Sequence, residues 1–433
     1  LVELVDHIKV YENGNISNAT TKAGQEVRGH SMVGGLVGNN YSNSATPSVI
    51  DNAEANGTVW GVNNAAVDDV IFGGLVGLNS EFSTIQNSTT TGAVRSSSGV
   101  KQTMVGGLVG RNQGLVTSST ATGNVTGSGD SPISMVGGLV GHNASTGRIS
   151  EVNIGNKVEL VYNKAGGAGY VGGLVGVNDG SISNASATGT FAPNSGAIPN
   201  AKAEAVWFGG LVGQNSNAIA DSHSSMTIKL SLSGKAGGLV GENLATGKIE
   251  RSNASGNMTV GGNTIAGGLV ASNEGSIKDA YASGTVTSGT TGQSGGLVAV
   301  NSGNIQNAYA TGAVTTGFMG VAGGLVANNA GTIAGSYATG VVKANSAFFG
   351  MINGTAGGLV GINSGSISNS FAKTGTVYGS TAGGLVGNNL STGVLANTSA
   401  QGKVEISGNI LNDGGFGGLV GINAGEIHKS SAQ

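Results

Sequence analysis

Few side chains in this sequence carry reactive chemistry, and their spacing decides what they can do. The five histidines, His7, His30, His142, His223 and His428, fall far apart and match no metal-ligand spacing. Asp68 and Asp69 form the single adjacent acidic pair. Carboxylates on neighbouring segments can hydrolyse glycosides by acid–base chemistry, but this pair lies in a stretch of variable length. Walker and His-Glu-x-x-His patterns do not occur. A recurring Gly-Gly-Leu-Val-Gly, as at 172–176, spaces glycines much as phosphate loops do. It leads into no helical pattern, so no helix N-terminus follows to hold a phosphate. Calcium-binding nonapeptides need an aspartate in every turn, and these turns lack it. The absence of cysteine removes thiolate nucleophiles, thiolate metal ligands and disulfides. The expectation is a protein that is not an enzyme and takes no cofactor or metal.

What the sequence does place at fixed spacing is repeated polar and aromatic residues. Gly-Gly-Leu-Val-(Gly/Ala)-x-Asn occurs 13 times, with motif leucines 26 to 39 residues apart. Counted from that leucine, position +4 is asparagine in all 13, including Asn178, Asn273, Asn301, Asn329 and Asn363. Stacked in register about 4.8 Å apart, such amides donate to one neighbour and accept from the other. They also tolerate the left-handed backbone of a turn. A row of ligand-binding amides is the alternative. Four residues beyond the isoleucine of the next segment stand Tyr281, Tyr309, Tyr337 and Phe371, one per repeat. This row either stabilises a ladder by stacking or holds a sugar or peptide. A third candidate is the apolar loop around Phe348 and Phe349, as an interaction patch or a local cap.

The elements that position these residues follow from the repeat. A period in this range signals stacked units that cannot bury a core alone. Each unit reads as three short segments bounded by glycine turns: the Gly-Gly-Leu-Val strand, a segment such as Ile305–Ala310, and a third with one apolar anchor such as Val286 or Val314. The four prolines, Pro47, Pro132, Pro193 and Pro199, fall in the variable loops, where no ladder hydrogen bond is lost. Trp60 and Trp207 stand beside long loops and would anchor them. The fold class expected is all-β, a parallel β-solenoid of about 13–14 coils with three short strands per coil, roughly 60–70 Å long at the strand spacing. Residues 1–433 form a single continuous array, of which 1–30 are a degenerate N-terminal coil. The sequence starts and stops inside repeat-like stretches, so a piece of a longer chain is expected.

One feature of the strand resists simple alternation. If the motif leucine points inward, the valine at +1 points outward, yet it is valine in all 13 units. Position −3 shares its parity and is largely apolar. Either a bend at the glycines switches the parity, or loops, another chain or a partner cover that face. Position +2 is always Gly or Ala, which implies a narrow corner. The glycine pair implies close backbone approach or a positive φ.

Composition narrows the class further. Of 433 residues, 82 are glycine, 19 are Lys or Arg and 22 are Asp or Glu, for a net charge of −3. That balance gives no case for nucleic acid, and no apolar run is long enough for membrane insertion. Abundant Asn, Ser, Thr and Gly suit a long surface protein.

Gly358-Leu359-Val360-Gly361-Ile362-Asn363, followed by Gly365-Ser366-Ile367-Ser368-Asn369-Ser370, resembles the GLUG-motif repeat, and the likeness recurs over nearly the whole chain. The resemblance implies a repetitive scaffold of large exported bacterial proteins, haemagglutinin-like and adhesin-like, and of chains that carry immunoglobulin A-cleaving peptidase domains. It implies an extracellular or cell-surface location in bacteria and transfers no catalytic residue. The function it points to is a structural and adhesive stalk or passenger. Its partners would be a host or neighbour-cell surface glycan or protein, or copies of itself. A self-assembling extracellular filament subunit is the alternative. Behind it stand a polysaccharide-degrading β-helix enzyme and an ice-binding array, the latter interrupted where Lys373 and Gln401 replace the threonines of Thr311 and Thr339.

Overall fold

The structure is a computed structural model that describes all residues except 1–8, 11–13, 44–45, 63–67, 97–100, 129–130, 156, 162–166, 192–205, 232–233, 346–353 and 407–413. Its regular structure is all strand, and the strands pair in parallel ladders from coil to coil, a parallel β-solenoid. Contacts gather the chain into two compact units, Leu1–Met226 and Thr227–Gln433.

In the first unit the motif strands Val37–Asn40, Val76–Asn79, Val109–Asn112, Val140–Asn143, Val175–Asn178 and Val212–Asn215 stack valine on valine and asparagine on asparagine. The second unit repeats this from Val240–Asn243 through Val270–Asn273, Val298–Asn301, Val326–Asn329, Val360–Asn363 and Val386–Asn389 to Val420–Asn423. Insertions of differing length therefore fall between strands without disturbing the register of the motif.

One coil of the second unit shows how the three sequence segments resolve. Val270–Asn273 is followed by Ser276–Lys278, Tyr281–Ala282, Val286–Thr287 and a leading strand, Gln293–Gly295, that brings the chain to the next glycine pair. The second segment is broken at Asp279, whose φ is 51°. The stretch read as a returning loop ends in a paired strand, with Gln293 beside Val321 and Gly295 beside Gly323.

A bend settles the parity question. The leading strand stops at the first glycine of the pair, the second glycine and the leucine form the corner, and a new strand starts at the valine. Leucine and valine thus both point into the core: Leu174 and Val175 are 0% exposed, as are Leu297 and Val298. At the corner one carbonyl serves two amides, Leu174 O accepting from Leu139 N at 2.9 Å and from Val140 N at 3.0 Å. No side chain fits the glycine pair. A Cβ on Gly106 would lie 1.9 Å from Val109 O, and one on Gly74 2.0 Å from Gly107 O. Neither has a positive φ, so the glycines serve close backbone approach. At +2 a Cβ on Gly110 would lie 2.8 Å from the backbone N of Phe72 in the preceding leading strand, which explains why only the smallest residues occur there.

Left-handed backbone occurs elsewhere than expected. The +4 asparagines lie in extended strand. Most left-handed residues are those two beyond the isoleucine or its equivalent, among them Asn87 (φ 49°), Asn184 (50°), Asn307 (52°), Asn369 (48°) and Asn397 (55°). Asparagine takes this conformation more readily than most residues. Where a serine follows, it closes the corner. Ser88, Ser119, Ser336 and Ser370 are buried, and each Oγ donates to the carbonyl two residues back at 2.7–2.9 Å. The same oxygens accept from backbone N of the neighbouring coil, Ser88 N to Ser119 Oγ and Ser336 N to Ser370 Oγ, both 3.1 Å.

Candidate binding faces

The asparagine row lies in the interior. Asn40, Asn79, Asn112, Asn143, Asn178 and Asn215 are 0% exposed. From Asn40 through Asn178 each Nδ2 donates to the next Oδ1 at 2.7–2.9 Å. In the second unit the chain of amides runs Asn243, Asn273, Asn301, Asn329, Asn363, Asn389 and Asn423 at 2.8–2.9 Å. The second hydrogen of the amide reaches the turn, as Asn178 Nδ2 to Gly180 O at 3.0 Å. Through Asn389 these side chains are buried and bonded to one another and to the turns, so that part of the row has nothing to offer a ligand.

The aromatic row lies at the surface of the second unit. Tyr281, Tyr309, Tyr337 and Phe371 are in register on successive coils. Their rings stack at 4.9, 4.9 and 5.0 Å between centroids, within 4° of parallel. The left-handed corner before each tyrosine and the buried alanine after it, Ala282 or Ala310, set the side chain outward. Stacking covers the ring faces, so edges and phenol hydroxyls face solvent. Burial between its neighbours pushes the Tyr309 phenol above its usual pKa, and the adjoining Tyr281 and Tyr337 add to the shift. Phe371 is 40% exposed. Phe348 and Phe349 lie outside the described residues.

The tryptophans sit within strands, in columns of their own. Trp60, in Thr58–Gly61, lies between Arg28 and Arg95 of the adjacent coils, with guanidinium carbons 5.5 and 5.8 Å from the ring. Trp207, in Val206–Gly209, stacks on Tyr170 at 4.9 Å.

Coil stacking also assembles one polar cluster that the scattered histidines did not suggest. His142 at +3 of one coil meets Asp179 at +5 of the next, Nε2 to Oδ2 2.8 Å. Ser216 Oγ, at +5 of the following coil, donates to Asp179 Oδ1. The hydrogen bond from His142 holds the Asp179 carboxyl below its usual pKa; burial opposes this, while the Ser216 hydrogen bond and the electrostatic influence of His142 and Arg111 assist. Because the carboxylate accepts, Nε2 carries the hydrogen. Ser216 donates to the carboxylate and not to the ring, so the trio joins three coils rather than relaying a proton to a nucleophile. Among the described residues no group of three or more His, Asp or Glu side chains is placed to hold a metal ion, and no helix is long and apolar enough to cross a membrane.

The architecture is that of a repeat protein whose coils are copies of one unit. The family model of the GLUG motif matches the chain in three places, residues 102–126, 167–192 and 262–287. The first of these contains the strands Gln102–Gly106, Val109–Asn112, Leu115–Thr117 and Thr120–Ala121 and enters Val125–Ser128, so the motif corresponds to one coil. No curated protein matches the chain.

Proposed function

We propose that this chain is a structural and adhesive scaffold of a bacterial extracellular or cell-surface protein, a stalk or passenger whose solvent faces contact a host or neighbour-cell glycan or protein. The observation that carries this reading is where the residues at repeated positions go. Asparagines at a fixed position, and serines in some of the coils, are consumed inside, joining coil to coil, while residues on the outer faces change along the chain. The Tyr281–Phe371 row is one of these faces, with its rings stacked from coil to coil. Its edges and hydroxyls, one per coil, suit an extended partner lying along the row.

The test is attachment of beads coated with the 433-residue chain to epithelial cells and to extracellular matrix, beside beads coated with the Tyr281→Ala/Tyr309→Ala/Tyr337→Ala variant. Attachment that drops severalfold in the variant supports the reading. Attachment equal to that of uncoated beads on every surface refutes it, and concentration-dependent fibres in electron micrographs of the same sample would then favour the filament.

A further inference from the structure

On the first unit, a cavity of about 500 Å³ opens at the turns that follow the buried asparagines. Its origin is a difference in turn length. Asn112 is followed by a short turn, Gln113-Gly114, before the next strand starts at Leu115. The turns after Asn79 and Asn143 are two residues longer. The short turn leaves a notch between the two longer ones, lined among others by Glu81, Phe82, Gln113, Ser145, Arg148 and Asn217. Backbone makes its floor, since a Cβ on Gly114 would lie 2.1 Å from Ser83 O.

Phe82 breaks the pattern of the long turns. The other three turns of the same four-residue length read Ser145-Thr146-Gly147, Ala245-Thr246-Gly247 and Ser391-Thr392-Gly393. There the threonine folds back on the preceding coil, Thr146 Oγ1 donating to Gln113 O at 2.7 Å and Thr392 Oγ1 to Ser364 O at 2.8 Å. Phe82 has no hydroxyl to do so. It stands at φ 64° and is 49% exposed. A bulky side chain in left-handed backbone carries a conformational cost that glycine would not. The result is an aromatic ring held at the rim of a polar notch. Among the described residues, no hydrogen bond or ion pair engages the side chains of Glu81, Gln113 or Arg148.

We infer that this notch binds a short stretch of glycan, with a sugar ring against Phe82 and its hydroxyls on Glu81, Gln113, Arg148 and Asn217. Sugars present a C–H face and a rim of groups that both donate and accept. A single aromatic ring with planar amide, carboxylate and guanidinium groups around it is complementary to both. A peptide added as a strand is a poorer fit, because the strands beside the notch are already paired above and below. The choice of a glycan rests on the adhesive reading; the notch geometry does not.

Saturation-transfer NMR on the full chain with lactose, maltotriose, chitotriose and trigalacturonate tests the inference. Three variants go with it. Phe82→Gly removes the ring and relieves the backbone. Ser145→Trp fills the notch from an exposed position. Tyr281→Ala/Tyr309→Ala/Tyr337→Ala leaves the notch intact. The expected result is at least one probe whose affinity falls tenfold or more in both notch variants, with the Phe82→Gly melting temperature equal to or above that of the parent. A purely structural Phe82 would lower melting and leave binding alone. Binding unaffected by both notch variants overturns the inference, and if the tyrosine variant then loses it, the adhesive reading stands without the notch. No transfer to any probe from a chain that still attaches to cells overturns the glycan occupant and leaves a protein partner for the scaffold.

Discussion

Asn301→Ala tests the interior amide row at a site where both neighbours are defined. Asn301 is 0% exposed. It accepts from Asn273 at 2.8 Å and donates to Asn329 at 2.8 Å, with Gly303 O at 3.3 Å. Truncation leaves Asn329 Oδ1 buried without its donor, and Asn273 Nδ2 with only Gly275 O at 3.3 Å. An orphaned buried acceptor costs about 1–3 kcal/mol and a lost neutral hydrogen bond about 1 kcal/mol. The sum, about 2–4 kcal/mol, corresponds to roughly 4–16 °C in melting temperature for a unit of this size. Stacked repeats open locally, so the assay is native-state hydrogen exchange at the amides of Val298–Asn301, with a thermal melt beside it. A change under about 0.5 kcal/mol, the size of an ordinary surface substitution, would refute the reasoning. So would additivity in the pair with Asn329→Ala. That second truncation removes the orphaned acceptor, and the double variant should cost about 1–2 kcal/mol less than the sum of the singles.

Three further outcomes follow from the same geometry. Leu297→Asp places a carboxylate at a fully buried corner and should cost about 4 kcal/mol or more; unchanged proteolysis and melting would reject the leucine ladder. Gly106→Ala should cost about 3 kcal/mol or more, because its Cβ meets backbone at 1.9 Å. Gly24→Ala, with φ +79° and nothing within 4 Å, should cost only about 1–2 kcal/mol of backbone strain, and equal urea midpoints for the two variants would contradict this. Asp179 titrates below its usual value when folded, so its contribution to stability is present above the unfolded carboxyl pKa and lost as pH falls through the folded one. Asp179→Asn should therefore flatten the decline of melting temperature below about pH 4, and a variant that tracks the parent through that range would remove the His142 hydrogen bond as cause.

The solenoid was legible because its determinants repeat. Leucine, valine and asparagine at fixed offsets give the motif strand, its register and its buried side, and Gly or Ala at +2 gives the close approach. Two features were harder to read. The parity of the valine depends on a corner at Gly-Leu that simple strand alternation does not contain. The left-handed position was assigned to the wrong asparagine: Asn301 and Asn307 are both asparagines near turns, and only the hydrogen-bond pattern separates a ladder amide from a left-handed corner. A serine after that corner is visible in the sequence, as in Asn369-Ser370, yet its two-sided bonding depends on how the coils stack. The His142–Asp179–Ser216 cluster and the Phe82 notch arise between coils. Their signal lay in offsets from the motif leucine and in unequal turn lengths, which a search for local motifs passes over.

The way these coils cohere bears on where specificity can arise. Within each unit, backbone ladders and a buried asparagine join coil to coil, with a buried serine added in some coils such as those of Ser88 and Ser336, and none of them depends on what stands at a turn tip or on the outer side of a strand. A threonine at such a tip is bound back to the preceding coil, as Thr146 is to Gln113. Replacing it costs one surface hydrogen bond, about 0.5–1.5 kcal/mol, against several for a core position. Departures from the repeat at these places are therefore tolerated without loss of the solenoid, and a binding role can accumulate there. Phe82 where other long turns have threonine, and tyrosine where other coils have Asn253 or Ser399, are departures of this kind. In such a chain the constant residues explain the fold, and the exceptions to the repeat are the first places to look for a ligand.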